Sequence, residues 1–116
     1  ALSTASAAAP APARVARRAA ARAREREIQS ARRVAEDLRF QAGLARIAAQ
    51  RFDGAEIAAG TFQQANDQER EGEALYRRGQ YDEARGAFQE AARLYREAES
   101  LSHEERVRRV KLSPAP

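Results

Sequence analysis

Cysteine, methionine and tryptophan are absent from this sequence, and histidine and lysine occur once each, as His103 and Lys111. The missing thiol excludes a disulfide framework, a thiolate metal site and a cysteine nucleophile together. A lone imidazole is nearly as restrictive. His103 sits in the run SHEER beside Glu104 and Glu105, without partners at the spacing that metal binding or general-base work requires, so it reads as a solvated helix residue. Neither Asp53-Gly54 nor Gly79-Gln80 carries the several glycines and the lysine of a phosphate-binding loop. These gaps leave no nucleophile, base and orienting group to assemble, so the chain is expected not to be an enzyme and to need no cofactor or metal. No stretch of about 18 apolar residues occurs, so no membrane-spanning helix is expected.

Bulky core side chains are also scarce. Three Tyr and four Phe stand among 116 residues, and the 43% apolar content is mostly alanine. One modest core is the limit at this length, and close helix packing must take the place of bulk. Twenty of the 21 basic residues are arginine. With the alanine excess, that bias points to a GC-rich bacterial source; a soluble chain is expected, and its compartment, bacterial cytoplasm or periplasm, is left open.

Charge is divided along the chain. Residues 14–33 hold eight Arg against Glu25 and Glu27, residues 34–105 hold nine Arg against fifteen acids, and residues 106–111 add four basic groups. A nucleic-acid binder usually shows one continuous basic face. An acidic middle between basic ends instead suggests pairing between segments or between chains. The cluster Arg14, Arg17, Arg18, Arg22, Arg24 and Arg26 is the candidate electrostatic contact, for an acidic protein face, phosphates or acidic lipid. No aromatic residue is interleaved with it, which argues against stacking on single strands. Asp67, Glu69, Glu71 and Glu73 alternate and so point to different sides of a helix. Glu69 alone falls on an apolar stripe, where it should pair with an arginine of a facing helix as a register device.

Three antiparallel helices are expected, at about 14–51, 55–78 and 82–110, within a single helical domain over 14–111; residues 1–13 read as linker and 112–116 as tail. The first helix is rich in Ala and Arg, both good helix formers. Its stripe Ile28, Ala31, Ala35, Leu38, Ala42, Ala45, Ala49 and Phe52 recurs at spacings of three and four, the period of one helix face. Val34, Phe40, Leu44 and Ile47 lie off that stripe and widen the apolar surface, so a second neighbour is expected. Gly43 suggests close approach of another backbone. Asp53 and Asp82 are candidate N-caps, and Gly79 a candidate C-cap.

The stretch from Gln68 to Ala98 resembles a tetratricopeptide repeat, a helix-turn-helix unit of about 34 residues. Gly72 stands at the small position of the first helix, Leu75 and Tyr76 at the packing position, and Gly79, Tyr81, Ala84, Phe88 and Ala91 follow the turn and second-helix pattern. GQYDEA is the most specific piece. Gln68 stands where tryptophan is usual and Arg96 where proline ends the repeat, so the third helix should run on. Phe52, Ala55, Ala59 and Phe62 echo Tyr81, Ala84, Phe88 and Ala91, which extends the resemblance to about residues 44–99. The chain thereby also resembles alanine-rich helical modules of bacterial multidomain proteins. The resemblance implies a tetratricopeptide-like hairpin behind a long Arg/Ala-rich first helix, acting as a non-enzymatic scaffold or protein-binding module. Such repeats need about three copies for stability, which implies a homo-oligomer or a longer parent chain. The alternative is binding of nucleic acid or an acidic surface through the arginine-rich helix.

Overall fold

The computed structural model describes residues 10–113. Among them there is no strand, and the chain is all-α: α1 (Ala11–Arg51), α2 (Gly54–Ile57), α3 (Ala59–Arg77) and α4 (Tyr81–Leu112). Residues 1–9 of the expected linker and 114–116 of the expected tail lie outside the described residues. Ala11 to Ala13, read as linker, instead form the first turn of α1. Pro12 fits there because a first-turn amide has no intrahelical acceptor to lose, and the Arg14 amide already donates to the Pro10 carbonyl at 3.0 Å. Leu112 ends α4, with Ser113 in extended conformation.

The expected second helix is two helices. Asp53 takes a left-handed conformation, φ 58° and ψ 32°, which aspartate tolerates better than most residues. The Glu56 and Ile57 amides fold onto its carbonyl, closing the single turn of α2. Ala58, at φ −117° and ψ 49°, then breaks the chain's helical path before α3 begins. Asp53 does stand at the expected N-cap position, that of α2, whereas Asp82 is not a cap. Asp53 makes no side-chain cap bond, and its carboxylate instead accepts from Arg106 Nη2 at 2.5 Å. α4 starts behind Gln80, also without a side-chain cap, and Asp82 lies inside its first turn, where a negative charge favours the helix dipole.

The α3–α4 turn closes as a Schellman motif. The Gln80 amide donates to the Leu75 carbonyl and the Gly79 amide to that of Tyr76, each at 3.0 Å, the pairing that satisfies the last carbonyls of a helix. Gly79 has φ 77°, a value that glycine reaches without strain.

The chain divides into two compact units between Ser30 and Ala31. The described part of the first is the N-terminal portion of α1, exposed except for half-buried Ala23 and Gln29. The second holds the core. Here α3 and α4 run antiparallel, since Phe62 meets Tyr95, Gly72 meets Phe88 and Tyr76 meets Tyr81, with numbers rising on one helix as they fall on the other. The C-terminal portion of α1 contributes Ala35, Ala42, Ala45 and Ala49, all buried, with Leu38 partly buried against them. Its cross-links Glu36 to Tyr76, Arg39 to Glu73 and Arg46 to Glu69 fix it antiparallel to α3.

Candidate interaction surface

Apart from Gly79, which lies in the turn, the residues that carry the repeat resemblance fall on the two facing sides of α3 and α4. Gly72 is buried, and a Cβ there would stand 2.8 Å from the Phe88 ring; the space a side chain would fill is taken by that ring. Ala84, Phe88 and Ala91 are fully buried, and Leu75, Tyr76 and Tyr81 pack partly buried against them. Tyr76 and Tyr81 meet edge to face at 5.3 Å across the turn, a favourable aromatic geometry. These side chains form the interior of the hairpin.

Glu69 is placed as its position on the stripe implies. Arg46 Nη1 of α1 donates to its Oε2 at 2.6 Å, and the hydroxyl of Tyr95 on α4 donates to its Oε1 at 2.7 Å while also reaching the Asn66 amide oxygen at 2.5 Å. One carboxylate thus ties three helices together. Burial, and then the adjacent Glu69 carboxylate, push the Tyr95 phenol well above its ordinary value, because ionisation would set a second negative charge beside the first. The hydrogen bond to Glu69 holds the Arg46 guanidinium more firmly protonated. Asn66 was not among the sequence candidates, whereas Tyr95 is expected from the sequence as a packing or anchor aromatic, without a named hydrogen-bond partner. Tyr95 had a signal, since it lies on the stripe of α4 and a fully buried phenol needs a partner.

A second clamp lies one helical turn from the α3–α4 loop. The Tyr76 hydroxyl donates to Glu36 Oε1, Arg32 Nε donates to the same oxygen at 3.0 Å, and the Arg39 guanidinium lies over the Tyr76 ring at 5.4 Å. The Tyr76 hydrogen bond, with that of Arg32, holds the Glu36 carboxyl below the usual carboxylate range.

Between these clamps a groove of about 500 Å³ opens along α1 and α3, lined by Glu36, Arg39, Phe40, Gly43, Leu44, Arg46, Ile47, Glu69 and Glu73. Phe40, Leu44 and Ile47 are 66%, 51% and 46% exposed. At about 100° per residue they share the side of α1 opposite Ala35, Ala42, Ala45 and Ala49. The second neighbour expected for this side is not supplied within the described residues. Gly43 corrects another expectation, because a Cβ there would meet nothing within 4 Å.

Arg14, Arg17, Arg18, Arg22, Arg24 and Arg26 are all exposed, and none enters the ion pairs found among the described residues. They spread over about 200° of the helix circumference, so they form a sleeve of charge and not a stripe. His103 is exposed. Among the described residues no group of three His, Asp or Glu is placed to hold a metal, and no helix is long and apolar enough to cross a membrane. No protein-family model matches the chain, no curated protein matches it, and no solved structure matches it.

Proposed function

We propose that this chain is a non-enzymatic helical interaction module, a tetratricopeptide-like hairpin that supports α1 as a protein-binding surface. The observation that carries the reading is the exposed run Phe40, Leu44 and Ile47 on the outer side of α1. Three large apolar side chains at helical spacing, rimmed by Arg39, Arg46, Glu69 and Glu73, have the apolar centre and polar border of an interface. The hairpin's contribution is stiffness: the aromatic pairs and the Glu69 node hold α1 in register, so its outer side is presented ready-made to a partner.

The test is capture of proteins from a lysate of the source cells by the immobilised chain, compared with Phe40→Glu and Leu44→Glu variants whose helicity is checked by circular dichroism. Retention by the wild type that both variants lose is the expected result. Identical retention by all three overturns the reading.

A second reading rests on the six exposed arginines. As a sleeve without interleaved aromatics they suit contact with an acidic surface, such as a nucleic-acid backbone, through charge alone. It predicts a mobility shift of duplex DNA at low salt that disappears steeply as salt rises, and the absence of any shift ends it.

A further inference from the structure

We infer that the outer seam of α1 is a two-fold, antiparallel docking surface for a second copy of this chain, an inference that rests on the interaction-module reading above. Asp37, Phe40, Leu44, Ile47 and Arg51 follow one another at intervals of three, four, three and four, the alternation that keeps a seam on one side of a helix. The three middle residues are exposed and apolar. The two end residues are exposed and opposite in charge.

That charge order selects the occupant and its direction. Laid parallel and in register, two copies would set Asp37 on Asp37 and Arg51 on Arg51. Laid antiparallel, each Asp37 meets the other copy's Arg51, and Phe40, Leu44 and Ile47 of the two seams meet between them. A surface that complements itself on rotation is what an isologous dimer requires. Neither end residue is engaged elsewhere in an ion pair among the described residues. Asp37 accepts only a long hydrogen bond from Gln41 Nε2, at 3.3 Å.

Gly43 supplies an independent argument. A glycine in mid-helix is costly relative to alanine, and the chain's own packing does not account for this one, since its Cβ position faces open space. Gly72, by contrast, is filled by Phe88. Gly43 lies on the flank of the seam, about 40° round the helix from Ile47, where it lets a second backbone approach closely.

The experiment is sedimentation velocity on the full chain at low salt and at about 0.5 M salt, where exposed charge pairs are largely screened. It takes wild type, Leu44→Glu, Asp37→Arg and Arg51→Asp, each checked for helicity. The wild type is expected to dimerise at both salts. Leu44→Glu buries a charge at the seam's centre and is expected to weaken the dimer by about a hundredfold or more. Each single charge reversal sets like charges together at both ends and is expected to weaken it by about tenfold at low salt. An equimolar mixture of Asp37→Arg and Arg51→Asp restores both pairs, so it is expected to dimerise more tightly than either variant alone.

A wild type that stays monomeric, a dimer indifferent to Leu44→Glu, or a mixture no tighter than its components overturns the second-copy assignment. The broader reading has its own readout. A monomeric wild type that still retains other proteins, with retention lost in Leu44→Glu, sinks the dimer and leaves the module standing. A monomer that retains nothing sinks both.

Discussion

The α3–α4 hairpin and the contact of α1 with α3 are built from different materials. The hairpin is filled by rings: Phe88 lies against Gly72, and Tyr95 meets Phe62 edge to face at 5.3 Å. The α1 contact is filled by alanine, with polar clamps at Glu36, Arg39 and Arg46 along its edge. Ring packing concentrates stabilisation in a few side chains. Alanine packing spreads it thinly and leaves the choice of register to charge and hydrogen bonds. Within the second unit, bulk and specificity are thus assigned to different contacts.

Truncations should separate the two most clearly. Phe88→Ala removes the ring that fills the hairpin and is expected to cost about 3–5 kcal/mol, read as a drop in urea midpoint, whereas Ala42→Gly in the α1 contact should cost about 1 kcal/mol. Equal effects would break the comparison. Overfilling the hairpin is the next largest change: Gly72→Ala places a methyl 2.8 Å from the Phe88 ring and should cost roughly 1–3 kcal/mol, with Phe88→Leu in the same chain recovering part of the loss.

Tyr95→Phe removes the hydroxyl shared by Glu69 and Asn66 and should cost about 1–3 kcal/mol at neutral pH. It also has a pH signature. The folded phenol is held protonated above its ordinary value of about 10, so its contribution is whole below that value and is lost as pH rises through the folded one. The wild-type melting temperature should therefore fall more steeply than that of Tyr95→Phe between pH 9 and pH 11 (about one unit on either side of the ordinary value).

Glu36 titrates with the opposite sense. Its carboxyl is held below the ordinary value of about 4.3, so the clamp with Tyr76 is intact above that value and is lost as pH falls below it. In an NMR titration, Tyr76→Phe should return Glu36 toward the ordinary value. Arg39→Ala is the smallest change expected, about 0.2–1 kcal/mol and reduced further by salt, because its pair with Glu73 is half-exposed.

Periodicity made the middle of the α1 stripe, from Ala35 to Ala49, the interior of the hairpin and the pairing of Glu69 with a facing arginine legible, since each follows from which residues share a helix side; the stripe's ends, Ile28 and Phe52, are exposed. Glycine chemistry likewise marked Gly79 at the turn. The break at Ala58 was not legible, because it falls within an alanine-rich run that favours helix and owes its position to the left-handed turn at Asp53. The aspartate caps were legible only in part: Asp53 holds an N-cap position without its side-chain bond, because a cap side chain depends on backbone conformation and on competing partners, and Arg106 lies more than fifty residues away from Asp53 in sequence. At the candidate site, Phe40, Leu44 and Ile47 were readable as apolar surface, but sequence alone does not say whether a neighbour within the chain covers them. The Tyr95 hydroxyl needed a partner, and which one required the fold.

The alanine contact has a mechanical consequence. Methyl groups make shallow ridges and have no rotamers to lock, so α1 lies on the hairpin as on a smooth rail. The Arg46–Glu69 and Glu36–Tyr76 links act as detents that decide where along the rail it stops. Losing a detent leaves the rail itself in place, so it would alter where α1 comes to rest before it alters whether α1 stays bound.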